Sequence, residues 1–118
     1  MLASWGEPTS WITVPEAAER LAVPVTRVHQ MIRDGSLIGV RRDGVMRLPD
    51  DLVPKGPEDA SLLKHLVGVR TLLRDAGFSD EAALRWLYTA DDSLPGTPAQ
   101  SLRERPTEVK RRAQALGF

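Results

Sequence analysis

Residues 12–49 read Ile12-Thr-Val-Pro-Glu-Ala-Ala-Glu-Arg-Leu-Ala-Val-Pro-Val-Thr-Arg-Val-His-Gln-Met-Ile-Arg-Asp-Gly-Ser-Leu-Ile-Gly-Val-Arg-Arg-Asp-Gly-Val-Met-Arg-Leu-Pro49. Thr13 is a helix N-cap, with Pro15 and Glu16 in the first turn, where proline and acidic residues suit a helix start. Ala17, Ala18 and Leu21 form one stripe, and the small alanines allow a second helix to cross closely. Ala22-Val23-Pro24 breaks this helix, and Pro24 opens the next one, which runs to Asp34 and stops at Gly35. Val28, Met31 and Ile32 share its inward face at helical spacing. Leu37 and Ile38 pack down, and Val40–Arg42 and Val45–Leu48 flank Asp43-Gly44, a strong signal for a tight hairpin turn. Leu48-Pro49 closes the second strand, because proline cannot continue a ladder.

The outward residues of the second helix are Thr26, Arg27, Gln30 and Arg33, with His29 and Val25 at the margins. These polar types hydrogen-bond base edges and phosphates: arginine to guanine, glutamine to adenine, threonine to backbone or a thymine methyl. A helix pair of this kind presents its second helix to a DNA major groove, and a hairpin carrying Arg41, Arg42 and Arg47 is placed to touch phosphate. The candidate DNA-binding residues are therefore Thr26, Arg27, His29, Gln30, Arg33, Arg41, Arg42 and Arg47.

Charge distribution supports this placement. Sixteen basic and sixteen acidic residues cancel over the 118-residue chain, yet the net is −2 over residues 1–23, +3 over 24–48, −3 over 49–60 and +2 over 61–118. The positive excess sits where phosphate would lie.

The ordered set Ile12 to Leu21, Val23, Val28, Ile32, Asp34-Gly35, Leu37, Val40, Arg41, Gly44 and Arg47-Leu48-Pro49 resembles the winged helix-turn-helix domains of the excisionase and MerR-like type. The resemblance covers about a third of the chain. It implies that the second helix enters the major groove and that the wing contacts the backbone. Pro24-Val25 departs from the small polar residues usual at the start of the recognition helix. With fewer phosphate contacts in that turn, the wing arginines are expected to carry more of the affinity.

Residues 50–59 form a Pro/Gly/Asp-rich connector between a winged domain (1–49) and a helical subdomain (60–118). In the latter, Asp59 or Ser61 is expected to cap a helix to about Ala76 carrying Leu62, Leu63, Leu66, Val69, Leu72 and Leu73, ended by Gly77. Ser79 caps another helix, burying Ala83, Leu84, Leu87 and Trp86. Leu94 to Pro98 turns, Ala99 to Arg103 is a short helix, and Thr107 caps a final helix through Leu116. Residues 76–102 are similar to the C-terminal part of small actinobacterial winged-helix DNA-binding proteins. More weakly, Trp86-Leu87, Leu94-Pro-Gly-Thr-Pro98 and the terminal helix resemble the toxin-binding domain of Xre-type antitoxins, which implies a protein-interaction module.

The fold class expected is mainly α with a small antiparallel β-hairpin wing. The function expected is non-enzymatic double-stranded DNA binding by a transcriptional or nucleoid-associated regulator, with an antitoxin-like partner binder as the alternative. No cysteine is present, which excludes disulfides and thiol chemistry. His29 and His65 stand apart from any ligand pattern, Asp91-Asp92 reads as a solvated loop pair, and no catalytic, metal or cofactor site is expected. Trp5, Trp11 and Trp86 are assigned to packing. Lys110-Arg111-Arg112 is either a solvated helix face or a DNA contact. The start lacks a secretory pattern and no apolar run is long enough to span a membrane, so a soluble cytoplasmic protein is expected. A homodimer and a protein partner for the C-terminal helices stay open, since no heptad marks either.

Overall fold

The structure, a computed structural model, describes residues 7–117; Trp5 lies outside the described residues. Six helices and a three-stranded sheet follow one another as β1 (Trp11–Thr13), α1 (Val14–Leu21), α2 (Val25–Asp34), β2 (Val40–Arg42), β3 (Val45–Pro49), α3 (Ser61–Asp75), α4 (Asp80–Leu87), α5 (Pro98–Ser101) and α6 (Pro106–Ala115). The mainly helical class with a winged sheet is thus the fold observed.

Local chemistry explains the first elements. The Thr13 hydroxyl accepts the Glu16 N–H and the Glu16 carboxylate accepts the Thr13 N–H at 2.8 Å, a reciprocal capping box. The bonds donated to the Glu16 carboxylate by the Thr13 N–H and, at 2.9 Å, by the Thr13 hydroxyl hold that carboxyl below its usual range, with Arg20 and Arg47 adding to the effect. The chain leaves α1 through Ala22, whose φ of 58° is left-handed. Pro24 is the N-cap of α2 rather than its first helical residue, a shift of one position. Gly35 ends α2 at φ 89°, where a Cβ would be strained. At the wing tip Asp43 and Gly44 have φ of 53° and 78°, as a type I′ hairpin turn requires.

The sheet has one strand more than the hairpin read from sequence. Its order is β1-β3-β2, all antiparallel, with Ile12 opposite Leu48 and Arg41 opposite Met46. Strand alternation then divides the side chains between two cores. Ile12, Met46 and Leu48 face the helix pair, joining Ala17, Ala18, Val28, Met31 and Ile32. Trp11 and Val40 face the other way, onto Leu66, Val69, Leu84, Leu87 and their neighbours from α3 to α6. One small sheet is a wall of both cores.

The connector is pinned at three points. Arg20 reaches the Asp50 carboxylate at 2.6 Å and its carbonyl at 3.1 Å, the Tyr88 hydroxyl donates to Asp51, and Arg103 grips Asp59 through two bonds of 2.8 and 2.9 Å. Leu52, Val53 and Pro54 are buried. Asp59 also accepts the Lys55 N–H, so it does not cap α3, whose N-cap is Ala60 without a side-chain bond. Ser79 does cap α4, accepting the Ala82 N–H at 3.2 Å. Thr107 is not a cap either: Pro106 already occupies the first turn of α6 and Arg105 precedes it. The short helix starts a residue early, at Pro98, with Thr97 and Gln100 forming a second capping box. Trp11 and Trp86 pack half-buried on the larger core. The Cα radius of gyration is 13.6 Å, close to the ~13.5 Å expected of one compact body this long.

Candidate nucleic-acid interface

Burial of Val28, Met31 and Ile32 turns the opposite side of α2 outward. Thr26, Arg27, His29, Gln30 and Arg33 are all exposed. Arg27 donates to the Gln30 amide oxygen at 2.9 Å, so these two outward side chains are held together on one turn. Arg33 has no ion-pair partner among the described residues.

The wing arginines divide between the two faces of the sheet. Arg41 shares the face of Met46 and the helix pair and reaches only the Gly44 carbonyl, at 3.5 Å. With Thr13, Pro15, His29, Val45 and Met46 it lines an open groove of about 300 Å³ between α2 and the wing. Arg42 lies on the opposite face, ion-paired with Glu81 of α4, with its guanidinium 5.4 Å from the centre of the Trp11 ring. Arg47, opposite both Thr13 and Val40, is half-buried and unpaired by any carboxylate within ion-pair distance among the described residues. The structure thus brings Arg41 to the same groove as His29 of α2 and draws Arg42 toward the C-terminal helices.

The residues behind this surface were invisible as such in the sequence. Arg70 of α3 is 2% exposed, lies against Gly35 at the end of α2, and pairs with Asp80 at 2.6 Å. Burial pulls the Arg70 guanidinium below its usual value, against the pull of Asp80. A signal for it existed: position 70 falls with Leu66, Val69 and Leu73 on the apolar stripe of α3. Asp80 and Glu81, the first two residues of α4, therefore support α2, through Arg70, and the wing respectively.

No group of His, Cys, Asp or Glu suited to a metal occurs among the described residues, and no helix there is long and apolar enough to cross a membrane. Asp91 accepts from the Ser93 N–H and hydroxyl at 2.8 and 2.6 Å, which holds its carboxyl low.

Residues 6–53 match the family described as "DNA-binding protein Rv2175c, wHTH domain", and residues 63–117 match the "Rv2175c C-terminal domain of unknown function". The chain is 36% identical to "DNA-binding protein Rv2175c" of Mycobacterium tuberculosis (strain ATCC 25618 / H37Rv), over 95% of this chain and 82% of the relative. The solved "NMR structure of Rv2175c" superposes with a TM-score of 0.80 at 34% identity, covering 92% of this chain and 82% of that one. With both of its halves matched in order on the same fold, the chain belongs to the Rv2175c family of winged helix-turn-helix proteins.

Proposed function

We propose that the protein binds double-stranded DNA without chemistry, as a transcriptional or nucleoid-associated regulator, with α2 in the major groove and the wing along the adjacent phosphates. The observation that carries this reading is the set Thr26, Arg27, His29, Gln30 and Arg33 left exposed on α2, with His29 lining one open groove together with Arg41 of the wing. Membership of a family whose relative is named a DNA-binding protein supports it. Arg33 and Arg41 bond no other side chain among the described residues, so they are assigned the phosphate contacts, with Arg27 and Gln30 as the base-reading pair. Arg47 is a further phosphate ligand at the wing, and Arg42 joins it only by leaving Glu81.

The test is a salt-dependent titration of random and genomic duplexes. Arg41→Ala is expected to weaken binding at low salt and to reduce the slope of log affinity against log salt by about 0.9. Arg27→Ala is expected to lower discrimination between duplexes, by about 1–3 kcal/mol at the base it reads. Absence of any duplex binding by the intact chain at low salt would sink the reading.

A further inference from the structure

The C-terminal helices hold a second concentration of positive charge, away from the wing. Arg70, Arg103 and Arg105 each engage a carboxylate, and Arg112 donates to the Ser93 hydroxyl at 2.6 Å. Lys64 of α3 and Lys110 and Arg111 of α6 have no carboxylate within ion-pair distance among the described residues. Two of these converge. A Cβ built on Gly68 would stand 2.9 Å from the Lys110 Cε and 3.4 Å from its Nζ, so the absence of a side chain at Gly68 lets that lysine lie across α3. His65, next to Lys64 on α3, has its Nδ1 buried without a hydrogen-bond partner among the described residues. Burial first, then Lys110 from α6 and Lys64 from α3, pull the His65 imidazole below its usual value. Cationic groups set against one another with no counter-ion are an arrangement that a bound anion relieves.

Two observations fix the kind of occupant. The large apolar side chains exposed among the described residues are Val25, Val45 and Leu116; only Leu116, the residue that follows α6, lies in the C-terminal half. The patch thus lacks the apolar centre of a protein interface and suits a dense polyanion. Its direction is the second. On α3, Leu63 packs on the helix pair and Arg70 lies under Gly35, whereas Lys64 and Gly68 are turned from Leu63 by about 100° and 140° at helical pitch. The patch faces away from the duplex that α2 would hold.

We propose that Lys64, His65 and Lys110 form a second phosphate-binding site between α3 and α6, which holds a second segment of duplex DNA, so that one chain bridges two segments. The inference rests on the reading that α2 and the wing hold the first.

The test counts duplexes. The intact chain is titrated with a duplex about one helical turn long, and stoichiometry is read by calorimetry and sedimentation. Two duplexes per chain are expected. Lys64→Gln with Lys110→Gln is expected to leave one, with an unchanged melting temperature, and Lys64→Glu alone to weaken the same event several-fold. Arg33→Ala with Arg41→Ala is expected to remove the other. The second event is expected to tighten several-fold from about pH 8 to about pH 6, a gain absent in His65→Gln. A stoichiometry of one in the intact chain, lost with Arg33 and Arg41, overturns the second site and leaves the first intact. No binding at all overturns both. Polyglutamate occupying the patch where duplex does not would assign it to an acidic protein and overturn the proposal.

Discussion

Arg70 reaches Asp80 at 2.6 Å from beneath Gly35, so one buried side chain joins the end of α2 to the start of α4. Its Nε and Nη1 are buried without partners, and Asp80 is the carboxylate that balances its charge. Asp80→Asn is expected to cost about 2–3 kcal/mol in urea unfolding, less than a fully buried pair would lose, because Asp80 is half exposed. Arg70→Met, which removes the charge and keeps the stem against Gly35, is expected to cost less. Equal losses in the two variants would show that packing, rather than charge, is what matters here.

Arg42 is held by Glu81 over Trp11, and Glu81 is 52% exposed. Glu81→Gln is expected to change stability by less than about 1 kcal/mol. It releases Arg42 to phosphate, so the salt slope of DNA binding should steepen by about 0.9. An unchanged slope would put Arg42 out of reach of the duplex.

Stability should fall at both ends of the pH range. The Asp50 and Asp59 carboxyls are held low chiefly by hydrogen bonds from Arg20 and Arg103 respectively. A depressed folded value contributes stability above the unfolded one, near pH 4, and loses it as the pH falls through the folded value. Tyr88 is the opposite case. Burial and its bond to Asp51 push its phenol up, so its contribution is whole below about pH 10 and is lost above it. In denaturant midpoints measured against pH, Asp59→Asn should flatten the acid limb and Tyr88→Phe the alkaline one.

Ala22 occupies a left-handed conformation at φ 58° and is exposed. Ala22→Gly is expected to raise stability by roughly 0.5–1 kcal/mol, since the relief of Cβ strain outweighs the added freedom of the unfolded chain. Gly35→Ala is expected to do the reverse by more, because its φ of 89° is strained for alanine and the new methyl meets the Arg70 stem at 3.4 Å. Thermal melts of the two variants should therefore move in opposite directions.

The helix pair was legible because its signals are local: a cap, an alanine stripe, a proline break and a glycine stop. The hairpin was legible from Asp43-Gly44, and the outward set on α2 followed from the spacing of Val28, Met31 and Ile32. β1 was not, since three residues between a loop and a cap carry no period of their own. The division of the wing arginines was also hidden. Arg41 and Arg42 are adjacent and chemically alike, and only pairing with β3 decides that one faces α2 and the other α4. Ion pairs such as Arg42–Glu81 and Arg103–Asp59 join residues about forty positions apart, which no local pattern reports.

The sheet that walls two cores bears on how such proteins can be rebuilt. Trp11 and Val40 on one side and Ile12 and Leu48 on the other belong to the same few strands. A fragment ending after the connector would lay bare Ile38, Val40 and Leu52, and the helices left behind would lose the surface they close on. The two matched regions are units of description, and neither is a spare part: exchanging the helical half between relatives means exchanging one face of the wing along with it.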